Sequence, residues 1–140
     1  MSWSTNQTIF RQKRASGEDL SGQEGRVVHL NSSAVYMLAD AAGEDRGALS
    51  DGDVGGILLD GGTASGDMVT VGIGVVWALP GGAITEGDLF TGASTTDSRV
   101  VEAVTSGDIP LGRAMSDAAA ASTTARVKIN YLGPVDEAIA

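Results

Sequence analysis

The sequence predicts an all-β domain, a small barrel or sandwich with an extended N-terminal arm, on three observations. Residues 66–80 alternate: Val69, Val71, Ile73, Val75, Trp77 and Leu79 are large and apolar, while Met68, Thr70, Gly72, Gly74, Val76 and Ala78 between them are mostly small. A period of two marks a strand, whose successive side chains point to opposite faces. From Ala15 onward the apolar runs are short and separated by Gly, Asp and Ser, with 20 glycines in 140 residues, the punctuation of strands joined by turns. Near the C-terminus Ala125, Val127, Ile129 and Tyr131 alternate with Arg126, Lys128 and Asn130, which predicts a strand with one face in a core and one in water.

Taken in order, residues 1–14 show little apolar periodicity and are expected to be an extended arm, with Trp3, Ile9 and Phe10 as its only large apolar groups. Residues 26–30 predict a strand, 31–33 a turn and 34–39 the hairpin partner. Residues 40–46 read as a loop, and 55–59 as a strand closed by Asp60, Gly61 and Gly62. In the central stretch the odd positions 69–79 are expected to line the core, Trp77 among them. Gly72 and Gly74 then mark a bend or the close approach of another backbone on the opposite face. Pro80 has no N–H to give and ends the ladder; Gly81 and Gly82 turn the chain, and residues 84–90 resume the sheet. Residues 91–97 read as a polar loop, 99–104 as a strand with one solvated face, and 109–115 as a strand whose start is set by Pro110. The run 116–121 ends in four alanines and predicts one helical turn capped by Ser116 or Asp117. The domain is expected to span residues 15–132, with an acidic tail over 133–140. The dipeptide Gly-Asp recurs at 52–53, 66–67, 87–88 and 107–108, each copy marking a turn that enters a strand.

The length fits one domain with a sizeable core, and the absence of cysteine excludes disulfides and thiolate metal sites. Eighteen acidic and nine basic residues give a net charge of −9, which argues against nucleic acid or an anionic membrane as partner of the main body. The charge is unevenly placed. Arg11, Lys13 and Arg14 precede the first acid, Glu18, so the first 14 residues carry +3 and the rest 6 − 18 = −12. A basic arm on an acidic body is the reading. No apolar run has the length of a membrane span and the N-terminus lacks a signal-peptide core, so the chain is expected to be made in a cytosol.

The catalytic and metal-binding patterns that the sequence approaches each fail on chemistry. His29 is the only histidine, too few for a His-based zinc site or a paired-His acid/base site, and its place between Val28 and Leu30 predicts a structural strand residue. No Gly-x-Ser-x-Gly elbow occurs, and Ser65 reads as part of a turn. Gly61 and Gly66 have phosphate-loop spacing, but Asp67 stands where the lysine belongs. The Asp51-Gly52-Asp53 opening of a calcium loop has Gly62 in place of the twelfth-position glutamate. The phrase at residues 84–89 is similar to the turns of lipoyl and biotinyl carriers, yet the only lysines are Lys13 and Lys128. The expectation is a protein that is not an enzyme and needs no cofactor or metal.

The order of short phrases over residues 15–132 carries a resemblance. Residues 15–20 (Ala15, Ser16, Gly17, Glu18, Asp19, Leu20) are followed by Gly25-Arg26-Val27-Val28, the strand after Gly66-Asp67, and the run from Gly81 to Leu89. Leu111-Gly112-Arg113-Ala114-Met115, an alanine-rich connection and the Val127-Lys128-Ile129 strand complete the series. In that order they resemble the capsid cement, or head decoration, proteins of tailed bacteriophages. The resemblance implies a β-clip or β-tulip fold, homotrimers on the outer surface of the virion, and the major capsid protein as partner. The N-terminal stretch is longer and more basic than the family's usual start. Trp3, Ile9, Phe10, Arg11, Lys13 and Arg14 are therefore expected to form a capsid-binding arm that orders on assembly. The alternative, from another class, is a carbohydrate-binding or adhesive surface module, which would display aromatic platforms.

Overall fold

The computed structural model describes residues 7–30, 35–38, 55–92, 98–103 and 110–132, except for the side chains of residues 7–10 and 37. These segments form nine strands: β1 (Gln7–Ala15), β2 (Val27–Leu30), β3 (Tyr36–Leu38), β4 (Gly55–Asp60), β5 (Met68–Ala78), β6 (Leu89–Gly92), β7 (Val100–Glu102), β8 (Gly112–Ala114) and β9 (Val127–Tyr131). The fold is all-β, a nearly closed antiparallel barrel-like sheet, as the sequence predicts. Its order is β3-β2-β4-β5-β9-β8-β6-β7, with β1 added on β5.

β5 organises the sheet because both its edges are filled. β1 pairs with residues 68–75, β4 with 70–72 and β9 with 74–78. Gly72 faces both Arg11 and Ile57, and Gly74 faces both Thr8 and Tyr131. β1 therefore holds one edge while β4 and β9 share the other and part at Ile73. Gly74 has φ 104° at that fork, a backbone angle that a side chain would oppose.

Two rings close around the shared strands. On one side the end of β5 is stitched between β2 and β7: Leu79 N–H donates to Gly25 O at 2.9 Å, Val100 N–H to Leu79 O at 2.9 Å, and Val27 N–H to Ser98 O at 2.9 Å. On the other side Ser16 N–H donates to Asp67 O and Gly17 N–H to Tyr36 O, both at 2.9 Å, so the end of β1 meets β3. Each ring has its own core. The larger contains Val27, Ile57, Val76, Ala78, Ile84, Phe90, Val100, Leu111, Ala114, Val127, Ile129 and Tyr131. The smaller contains Leu20, Val28, Tyr36, Leu38, Leu58, Val69 and Val71. Adjacent residues of β2 (Val27, Val28) and of β4 (Ile57, Leu58) go to opposite cores, as the pleat requires.

This splits the face of β5 that was expected to line the core. The small even positions Gly72, Gly74, Val76 and Ala78 are buried, Val76 and Ala78 in the larger core; of the odd positions, Val69 and Val71 enter the smaller core and Leu79 is buried as expected, Ile73 packs half-buried against the larger core, and Val75 and Trp77 are half-buried outside both cores. The reason is volume. The barrel interior is filled from the facing strands by Phe90 and Tyr131, whose ring centroids lie 6.2 Å apart. Tyr131 is fully buried between Gly74 on β5 and Gly112 on β8, and a Cβ on Gly55 would lie 3.0 Å from its hydroxyl. A Cβ on Gly112 would run into the Asn130 carbonyl. The glycines are small so that one tyrosine can be large.

Three local expectations also change. Residues 116–121 form no helix; Ala118 and Ile84 exchange both backbone hydrogen bonds, at 2.8 and 2.9 Å, because six residues are too few to nucleate a helix when an extended partner is at hand. The sheet resumes at Leu89, with Ile84 making only that isolated bridge. From Gln7 on, the stretch expected as an arm is an edge strand of the body, since the long free edge of β5 offers it a full ladder of partners. The tail at 133–140 and the loop at 40–46 lie outside the described residues.

Candidate interaction surface

Of the six residues expected to dock, Trp3 lies outside the described residues, and Ile9 and Phe10 lie in β1 without described side chains. Arg11, Lys13 and Arg14 are brought together on β1 and all three are exposed. Pairing runs Thr8 to Gly74 and then Phe10 to Ile73, so Ile9 is the extra residue of a bulge, which bends and twists the strand locally. Beyond it the alternation sorts the charges. Gln12 and Arg14 stand opposite Val71 and Val69, on the side of the smaller core, while Arg11 and Lys13 stand opposite Gly72 and Thr70 on the other side.

The two sides differ in chemistry. Gln12 Oε1 accepts the Tyr36 hydroxyl at 2.7 Å. Burial pushes the Tyr36 hydroxyl pKa up, and the Arg14 charge pulls it partly back. Arg14 thus lies at the rim of the smaller core. On the other side Lys13, Thr70 and Asp60 form a row across three strands, and Arg11 is engaged within the chain. The second edge of β1 over residues 7–15 pairs with no strand among the described residues. Such an edge is a template for a further strand, and its lysine and arginines discourage indiscriminate pairing.

The distribution of charge sharpens this picture. All eight described bases lie on a strand or one residue before it, whereas the nine described acids lie in turns or end a strand. Six of those nine accept backbone amides that shape turns: Asp19 from Ser21, Glu24 from Gly61, Asp60 from Gly62, Asp67 from Thr63 and Ala64, Asp88 from Thr85, and Asp117 from Glu86. Their role is to satisfy local donors. The described body is close to neutral, and the excess of acid falls in the segments outside it.

The Gly-Asp phrases at 66–67 and 87–88 behave as read. Gly66 and Gly87 have φ of 90° and 92°, and the following aspartate accepts the turn amides. Backbone and hydroxyl hydrogen bonds from Thr63 hold the Asp67 carboxyl below its ordinary pKa, and hydrogen bonds from Ser21 do the same for Asp19. The other two copies lie outside the described residues. The stretch that opened like a calcium loop runs into strand β4 at Gly55, so its later positions cannot wrap an ion. Among the described residues no three His, Cys, Asp or Glu side chains converge as metal ligands. His29 is buried in β2 opposite Gly55 and Met37.

Sequence reasoning missed a second surface, the outer face of β5, β9 and β8. There Val75, Asn130, Arg113 and Leu89 form one cross-strand row and Trp77 and Lys128 another, extended by Met115, whose N–H donates to Lys128 O at 2.7 Å. The signal was in the strict alternation of Arg126, Lys128 and Asn130 against the core residues of β9; reading Trp77 as core hid its other half. In comparison with known proteins, the chain matches no family model and no curated sequence.

Proposed function

We propose that this is a structural virion protein that binds the outside of a phage head as a homotrimer and stabilises the lattice of the major capsid protein. The observation that carries the reading is β1: a nine-residue basic strand with one edge locked to β5 and the other open among the described residues. Its sequence context adds support, since the ordered phrases that resemble head decoration proteins begin at Ala15, where β1 ends. An extended acidic segment of a capsid subunit adds to such an edge through main-chain hydrogen bonds, and Lys13 and Arg14 supply the charge preference. A ligand that binds only the assembled shell stabilises it by mass action, so many modest contacts suffice.

The test uses heads stripped of the protein. Adding back the wild type should raise the rupture temperature. The double variant Lys13→Glu, Arg14→Glu, altered at two exposed positions, should melt like the wild type yet bind heads at least about tenfold more weakly, with a flatter salt dependence. Unchanged rupture with bound wild-type protein would sink the stabilising role, and equal head affinity of the double variant would remove β1 from the interface.

A further inference from the structure

We infer that the outer face of β5, β9 and β8 is a second docking surface, one that takes an acidic protein segment bearing apolar side chains. This rests on the capsid-binding reading and adds to it a contact remote from the open edge of β1. The two rows Trp77–Lys128–Met115 and Val75–Asn130–Arg113–Leu89 place four apolar side chains around two cations. Trp77, Val75, Leu89 and Lys128 are half-buried, Arg113 is exposed, and Met115 is 40% exposed, one of three large apolar side chains so displayed among the described residues. No carboxylate stands in either row.

A third cation is held at the margin. Arg126 Nη1 donates to Trp77 O at 3.4 Å, and it fits there because Gly25 lacks a side chain: a Cβ on Gly25 would lie 2.7 Å from that nitrogen. Arg113 Nη1 donates to Gly87 O at 2.8 Å, which fixes the guanidinium over the β6 turn. The adjoining turns carry the exposed Glu86 together with Asp88 and Asp117, whose carboxylates accept the Thr85 and Glu86 amides. The two rows themselves hold cations and no carboxylate on a chain whose net charge is −9, and charge complementarity within them selects an acidic occupant.

Its composition selects a protein. Tryptophan, methionine and arginine are among the residues enriched at protein interfaces, and tryptophan and arginine are enriched at their energetic hot spots. A face that spans three strands suits a protein surface, with carboxylates meeting Lys128, Arg113 and Arg126 while apolar side chains cover Trp77 and Met115.

Hydroxyl-radical footprinting of the intact protein, free and bound to stripped heads, tests this directly. Trp77 and Met115 should oxidise in the free protein and be protected at least about fivefold on heads. Lys128→Glu and Met115→Glu should each keep the wild-type melting profile and lower head affinity at least about tenfold, whereas Ala120→Glu, exposed and outside both rows, should not. If wild type binds heads but Met115 and Trp77 oxidise as fast as in solution, this surface is not the contact and only the present inference fails. If wild type binds no heads, the capsid reading falls and takes this inference with it. Protection of Trp77 by an acidic polysaccharide such as polysialic acid, without protection by heads, would overturn the protein partner in favour of a saccharide.

Discussion

The half-buried place of Trp77 on β5 makes a comparison between two aromatic truncations decisive. Tyr131 is fully buried, flanked across both strand edges by Gly74 and Gly112, and packed against Phe90. Removing it in Tyr131→Ala loses the transfer free energy of a large side chain and leaves a hole that the neighbouring glycines have no side chains to fill. The cost is about 4 kcal/mol, within the usual range for an aromatic taken from a packed core. Trp77 is larger but lies on the outer face, half-buried and outside both cores. The gap left by Trp77→Ala opens to water, so no closed cavity forms and only part of the transfer term is lost, about 2 kcal/mol. Urea denaturation with a shared slope would measure both, and a domain of this size, with roughly 5–15 kcal/mol in total, tolerates either loss singly. Tyr131→Phe, which preserves volume, should cost less than about 1.5 kcal/mol and guards against a variant that merely fails to fold. If Trp77→Ala proves as costly as Tyr131→Ala, the odd face of β5 is the core and the packing argument is wrong.

Two further outcomes follow from the ladder and the turns. Deleting residues 2–15 uncovers one edge of β5 together with Val69 and Val71, both buried in the smaller core; the free protein should lose at least about 2 kcal/mol, read from the urea midpoint, and an unchanged midpoint would make β1 dispensable to the fold. Asp67 has its pKa depressed by the Thr63 hydrogen bonds, so its stabilisation is complete above the ordinary carboxylate range and fades as pH falls through the lowered value; the stability gap between wild type and Asp67→Asn, followed by thermal melts from pH 7 down, should narrow below about pH 4 and not above it.

The strands of this chain were legible where a local pattern set them. The alternation over 68–78 and 127–131, and the Gly-Asp turns at 66–67 and 87–88, depend on neighbours in sequence and emerge where expected. Which face of β5 is inside does not depend on neighbours. Alternating large and small residues identify two faces, but with a core on each, the larger side chains do not mark the main one; the positions of Phe90 and Tyr131, 12 and 53 residues beyond Ala78, decide it. Ala118 was misjudged for the same reason, since helix propensity is local and Ile84 is 34 residues away. For the interaction surface, the basic residues of β1 could be named from charge alone, while their sorting onto two sides required the register against β5. The face around Trp77 required knowing that the tryptophan had left the core.

The fork at Ile73 also orders events in time. One edge of β5 is completed by β1, already made when β5 emerges, while residues 74–78 on the other edge wait for β9, which begins 49 residues after β5 ends. At ribosomal rates of roughly 5–20 residues per second that interval is about 2–10 s. Throughout it the nascent chain presents Val76 and Trp77 beyond the described pairing of β1, which ends at Val75, the kind of segment that recruits the wrong partner. By occupying one edge of residues 68–75 first, the N-terminal strand shortens the exposed template during synthesis, and so guards its own chain long before any finished surface meets another protein.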